Sequence, residues 1–185
     1  MPIAIPEVIV TNRTRLRRPR ADDAPRVHAN WSSDPDVTRY LPWRRHEDVA
    51  AAGVYLDSLA TRWADGSAYA WMITLPPSDD PIGLGLIRFR GDEAEIGYSL
   101  ARSCWGRGLI TEVAEALLRE ALVVPTITHV IAVLDTENTA SARVVEKIGM
   151  RQVATFTDLA HPNISDVPRP CFRYAIDRAS HRAMH

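Results

Sequence analysis

Residues Glu95 to Leu122, EIGYSLARSCWGRGLITEVAEALLREAL, decide the reading of this chain. Glu95 to Leu100 alternates in the manner of a strand. From Leu109 onward, apolar residues recur at three- and four-residue spacing, which predicts a long amphipathic helix. Gly106 and Gly108 stand where the strand hands over to the helix. A strand that ends in such a turn aims several unpaired backbone N–H groups, and the positive end of a helix dipole, at one point in space. That arrangement suits an anion, above all a phosphate. The glycines let the backbone approach a ligand with no Cβ in the way. Arg107 can add a cation, and the Thr111 hydroxyl lies in the first helical turn. A nicotinamide dinucleotide site calls for a third glycine at position 111 and an acidic residue about twenty positions on. Position 111 is threonine, and residues 125–133 contain no acid, so that ligand is disfavoured.

Outward from this stretch, the chain reads as one domain. Its 185 residues are enough for a substantial core. A net charge of −1 gives no global pull toward nucleic acid or an anionic membrane. The two cysteines, Cys104 and Cys171, belong to no CxxC or Cys/His cluster, so no metal site is expected. The segment MPIAIPEVIV is short, interrupted by Pro2 and Pro6, and lacks a basic leader. No run approaches a membrane span. The expectation is a cytoplasmic protein.

Residues 1–12 read as a loose arm, and Thr14 to Arg18 as a first strand. Asp22 or Asp23 caps a helix to about Trp31, with Pro25 in its first turn. Ser32 to Trp43 is loop-like, because Pro35 and Pro42 forbid a continuous helix. Glu47 to Trp63 is a helix ended by Asp65-Gly66. Strands follow over Ala68–Leu75, Pro81–Arg90 and Ala94–Ala101. After the long helix, Thr128–Leu134 is apolar throughout, as a strand covered on both faces should be. A helix over Thr139–Lys147 precedes two final strands, Gln152–Asp158 and Cys171–Asp177. The pattern is α/β (α+β), with a mixed sheet.

The second informative stretch is NTASARVVEKIGM, Asn138 to Met150. Asn138 can cap the helix or bond an extended ligand beside the strand. Ser141 shares a helical face with Val144, Val145 and Ile148. As a hydroxyl at a helix start it is either a cap or a proton donor.

Together, WGRGLITE and NTASARVVEKIGM resemble the GNAT superfamily of acyl-CoA N-acyltransferases. The likeness is closest to the RimJ/RimL-like branch, which acetylates ribosomal-protein N-termini, and the order of elements is similar along nearly the whole chain. The resemblance implies a mixed, mostly antiparallel central sheet flanked by about four helices. It implies acetyl-CoA as acyl donor, no metal, and an amine-bearing acceptor: a protein N-terminus or a small molecule. It leaves a homodimer open.

It also assigns residues. The family pattern at the turn is Gln/Arg-x-x-Gly-x-Gly/Ala. Gly106 and Gly108 match it, but Ser103 stands at its first position. Backbone groups over Cys104, Trp105, Gly106, Arg107, Gly108 and Leu109 are therefore expected to carry more of the pyrophosphate, with Thr111 beside them. Pantetheine is expected between the Ala94–Ala101 and Thr128–Leu134 strands, with Asn138 bonding it. Leu100 and Ala101 supply N–H donors to the thioester oxygen, and Ser141 is the acid for the leaving thiolate. Attack requires a neutral amine, so a base must take its proton. Glu95 is the first candidate and Asp158 the rival; a solvent-facing strand-end glutamate is the plain alternative for Glu95. Trp31, Tyr40, Trp43 and Trp71 are expected to wall the acceptor side. Tyr98 and Tyr174 read as packed core tyrosines, and His46 and His161 either line the cleft or are ordinary surface histidines. A small-amine, amino-acid or aminoglycoside acetyltransferase, or a non-catalytic acyl-CoA sensor, are the alternatives.

Overall fold

The computed structural model describes residues 5–184, excluding the side chains of residues 158–160 and 184. Among the described residues, eight strands form one sheet in the order β1-β2-β3-β4-β5-β6-β8-β7. The strands are β1 (Val8–Val10), β2 (Arg15–Arg17), β3 (Tyr69–Thr74), β4 (Gly83–Arg90), β5 (Glu93–Leu100), β6 (His129–Asp135), β7 (Arg151–Ala160) and β8 (Pro168–Asp177). Every pairing is antiparallel except that of β5 with β6.

The helices are α1 (Ala24–Val27), α2 (Pro35–Thr38), α3 (Val49–Asp65), α4 (Leu109–Val123), α5 (Thr139–Lys147) and α6 (Arg178–Met184). Short helical turns at Ala21–Asp23 and His28–Ser32 flank α1, so the helix expected to reach Trp31 is continuous but irregular. The expected four helices are present. α2 and α6 are additional; α2 forms because Pro35 occupies the first turn and Asp34 accepts from the Asp36 N–H at 2.9 Å. The stretch expected to be a loose arm contains β1, whose Ile9 is buried opposite Leu16.

α3 begins where Asp48 accepts from the Ala51 N–H at 2.8 Å and ends at Gly66, whose φ of 74° is left-handed. β3 is buried along its length because both faces are covered. Trp71 and Ile73 pack on the α4 side, with Leu117 and Leu118, whereas Ala70 and Met72 pack on the α3 side, with Leu56 and Leu59.

One irregularity positions everything that follows. β5 and β6 pair only over Glu93–Glu95 and His129–Ile131. β5 then runs on to Leu100 and β6 to Asp135 with no bond between them, and β6 continues against β8 instead. The sheet is split, and Glu95 stands at the apex of the split.

Candidate active site

Strand alternation sorts β5 onto the two sides of the sheet. Ile96 and Leu100 join the α4-side core, and Tyr98 packs against it. Glu95 lies opposite Arg88, Gly97 opposite Leu86 and Ser99 opposite Leu84. Leu84 and Leu86 belong to the α3-side core, so Glu95 and Ser99 face α3. A cavity of about 1000 Å³ joins both sides through the split.

On the α4–α5 side, the turn takes its shape from Gly106 and Gly108, each at φ 73°. A Cβ would be strained at either. Gly108 is also the N-cap of α4 and offers no side chain to satisfy the first helical N–H groups. Two expected donors are already used. The Cys104 N–H donates to the Ala101 carbonyl at 2.9 Å and the Trp105 N–H to the Arg102 carbonyl at 3.1 Å, because a short helical turn closes there. The anion cradle is therefore narrower than expected and centres on Gly106 to Leu109. Cys104, Trp105, Gly106, Gly108 and Leu109 line the cavity; Arg107 and Thr111 do not.

A cation at this turn comes from a place the sequence did not suggest. The Arg13 Nη1 donates to the Arg107 carbonyl at 2.8 Å, and Nη2 lies 3.6 Å from where a Gly108 Cβ would stand. Glu112 holds Arg13 there, accepting from its backbone N–H and its Nε, both at 2.8 Å, and from the Thr11 hydroxyl. Burial opposes the Glu112 charge, yet these donors keep its carboxyl below the usual range.

The Ala101 N–H donates to the Ile82 carbonyl at 2.7 Å. By antiparallel alternation, Leu100 and Tyr98 then aim their N–H groups the other way, into the split. Leu100 is thus the available donor of the expected pair, and Ala101 is not. Asn138 caps α5, its Oδ1 accepting from the Ser141 N–H at 3.2 Å. The Ser141 hydroxyl has no hydrogen-bond partner among the described residues, and both Asn138 and Ser141 line the cavity. Tyr98, read as plain core, also lines it and donates from its phenol to the Ser141 carbonyl at 3.2 Å. Burial pushes that phenol up.

On the α3 side, Glu95 is partly buried, and Arg88 Nη1 lies 3.3 Å from its Oε1. Tyr40 and Trp43 line the cavity. Trp31 and Trp71 do not: both are fully buried, Trp31 edge-on to Trp43, and Trp71 donating from Nε1 to the Pro6 carbonyl at 3.0 Å. Aromatic content could not separate wall from core. Asp158 lies in β7, but its side chain is outside the described residues.

Both histidines read as cleft or surface residues are buried. His46 stacks on Trp43 at 4.6 Å and meets the Ser32 hydroxyl at 2.9 Å through Nδ1. His161 lines the cavity, its Nε2 3.6 Å from Asp135 Oδ2. Arg169 Nε bonds the same oxygen at 2.6 Å and its Nη2 reaches Glu137 at 2.9 Å. Burial works against the Asp135 charge, but the Arg169 bond and the Glu137 N–H hold its carboxyl below the usual range. Burial pushes His161 down, with Asp135 opposing and Arg169 adding to the shift.

The site tests well against an acyl-CoA. The start of α4 is uncapped, the split leaves strand N–H groups facing a cavity, and the Ser99 hydroxyl is buried on that cavity without a partner among the described residues. Among the described residues, no helix is long and apolar enough to cross a membrane.

Comparison with known proteins agrees. The acetyltransferase (GNAT) domain model matches residues 13–151. The N-acetyltransferase p20 of Bacillus licheniformis is 27% identical over 155 residues, covering 82% of this chain and 86% of that protein. Mycobacterium smegmatis RimJ, solved in complex with CoA-disulfide, superposes with a TM-score of 0.80 at 21% identity, over 99% of this chain and 94% of that one. An acetyltransferase from Salmonella typhimurium that modifies the N-terminal serine of the 50S ribosomal protein L7/L12 gives 0.80 at 16% identity, over 92% and 99%.

Proposed function

The chain belongs to the GNAT acetyltransferase family and is an acetyl-CoA-dependent acyltransferase, and from that premise we propose that it acetylates the N-terminal amine of a protein or peptide by direct transfer. The observation that carries the direct route is Glu95 at the apex of the split, with its side chain on the α3 face. A base there meets an amine arriving from α3, while the donor lies on the α4–α5 side.

In this reading, Gly106 to Leu109 and the start of α4 hold the pyrophosphate, with Arg13 beside them. Asn138 holds the pantetheine arm. When bound, acetyl-CoA supplies an activated thioester. Glu95 takes the proton of the attacking amine, directly or through water. The Leu100 N–H donates to the oxygen on which charge builds. Ser141 returns a proton to the departing sulfur. The protein acceptor is supported by the Salmonella neighbour, whose own substrate is a ribosomal-protein N-terminus. A cytoplasmic location fits such an acceptor.

The test is thiol release from acetyl-CoA across a panel of peptides and small amines. Turnover on peptides with free N-termini, and none on N-blocked ones, is expected. Turnover on small amines alone would sink the N-terminal reading. Donor binding without turnover on any acceptor would point to a sensor.

A further inference from the structure

The cavity lining as a whole balances its acids and arginines, but the charges are not spread evenly: Asp36 is paired with Arg102, and Asp135 and Glu137 with Arg169, whereas the wall under α3 and β4 is mostly arginine. Arg62, Arg88, Arg90 and Arg173 line it, against Glu93 and Glu95. Arg88 pairs with Glu95, and Arg173 with Glu93. Arg62 and Arg90 have no ion-pair partner among the described residues. Arg62 shares a face of α3 with Tyr55 and Leu59, at positions i, i+4 and i+7, and all three line the cavity. Tyr55 is half-buried there, its hydroxyl within the field of both Arg62 and Arg88. Burial pushes the phenol up to about 12, opposed by the two arginines and by a bond from the Trp43 indole N–H, which the Tyr55 oxygen accepts, leaving its O–H to donate. So a hydroxyl and two guanidinium groups, contributed by α3 and β4, line the same cavity wall as Glu95 at the apex. The Arg88–Glu95 contact, at 3.3 Å, is loose for an ion pair.

We propose that the acceptor carries a carboxylate close to its amine, and that Arg62, Arg88 and the Tyr55 hydroxyl hold that carboxylate while the amine faces Glu95. This rests on the acetyltransferase reading above and adds to it a chemical class of acceptor. A carboxylate held by Arg62 and Arg88 satisfies the unpaired Arg62, draws Arg88 off Glu95 and leaves Glu95 to accept a proton. Arginine suits the task because its planar fork matches a carboxylate in two bonds. The carboxylate comes either from an acidic side chain at the start of a peptide or from the α-carboxyl group of a free amino acid.

Thiol release is measured on peptide pairs that differ only by Asp against Asn at the second residue, and on a free amino acid against its amide. Wild-type enzyme should favour the acidic member by about tenfold in kcat/KM, the worth of one charge-assisted bond in a half-exposed site. Preference within the peptide pair assigns the carboxylate to a side chain; preference only within the free pair assigns it to an α-carboxyl group. In Arg62→Glu the acidic-to-neutral ratio should fall to near one or invert. A wild-type ratio near one, or a ratio unchanged in Arg62→Glu, overturns the proposal while leaving N-terminal transfer standing. Calorimetric binding of the acidic and neutral peptides to the CoA-loaded protein reads the same ratio without turnover. A catalytically silent protein that still prefers the acidic peptide would keep the anion site and sink the transferase reading.

Discussion

The two sides of the split sheet are built from different material. On the α4–α5 side, the cavity wall offers main chain: the bend at Gly106 and Gly108, the uncapped start of α4, and the N–H groups of Tyr98 and Leu100. On the α3 side it offers side chains: Glu95 paired with Arg88, Tyr55, Arg62, Trp43, and the Asp135–His161–Arg169 cluster. Main-chain donors need a particular backbone shape, and only glycine at set spacing gives that shape. Side-chain groups need only to arrive, and they arrive from seven separate segments: α3, β4, β5, β6, β8 and the loops of Trp43 and His161. A family that keeps one donor and changes its acceptor can hold the first half fixed and rewrite the second.

The largest expected effect separates chemistry from donor binding. Glu95→Gln keeps the shape of the apex but removes the proton acceptor. Turnover should fall by roughly 10²–10⁴-fold, while CoA affinity measured by calorimetry holds. An unchanged turnover removes Glu95 from the mechanism and makes the α3 side a binding wall only.

Next comes the main-chain half. Gly108→Val forces a β-branched residue to φ 73° at the N-cap of α4. A left-handed conformation costs a non-glycine residue roughly 1–2 kcal/mol, so CoA should bind about tenfold more weakly. Rate at saturating donor and the choice between acceptors should stay as they were. A changed acceptor preference would mean that the two halves are coupled through the turn.

This division also explains what was legible in the sequence. The two glycines, the helix they start and the Asn138 cap could be read directly, because each is a local rule written in adjacent residues. The succession of strands and helices followed from patterning, whereas the order of strands within the sheet, with β8 between β6 and β7, did not. Glu95 could be singled out, but its place at the apex could not, since that depends on β6 leaving β5 after Ile131. Trp31 and Trp71 looked like wall and are core, because composition does not say which face of an element is covered. Arg13 was missed for the same reason of distance. It reaches the turn from a hairpin 99 positions before Glu112, the residue that holds it. Val8 to Val10 read as a loose arm because three residues carry too little periodicity to mark a strand.

The Arg13 contact gives a smaller test. Glu112→Ala removes the acceptor for the Arg13 and Thr11 donors and leaves those groups partly buried. Stability should fall by about 1–2 kcal/mol, seen as a drop of several degrees in Tm. CoA binding should weaken as well, since the guanidinium is no longer held at the turn. A loss of stability with CoA affinity unchanged would make Arg13 a strap and not a phosphate ligand.

The smallest effect is one of pH, and it should fall on the two halves unequally. His46 and His161 both lie on the acceptor side, and both have pKa values below the ordinary 6.5. For His46 the cause is burial, with a contribution from His28; for His161 it is burial first, with Asp135 opposing. In the unfolded chain each ring binds a proton near pH 6.5, whereas in the folded protein each resists until lower pH. The unfolded state therefore holds more protons below about pH 6.5, and stability falls as pH drops through that point. Glu112 and Asp135 behave differently: their depressed values keep their contributions intact until pH falls below the ordinary carboxylate range of about 4. Between about pH 6.5 and 4, then, only the histidine contacts are weakened. Amide exchange should rise first around His46 and the 161–166 loop, with α4 still protected, and Tm should decline modestly over that range. His46→Gln should flatten part of the decline. Uniform loss of protection across both halves in that interval would show that they unfold as one unit, and that the division drawn from their chemistry does not extend to their stability.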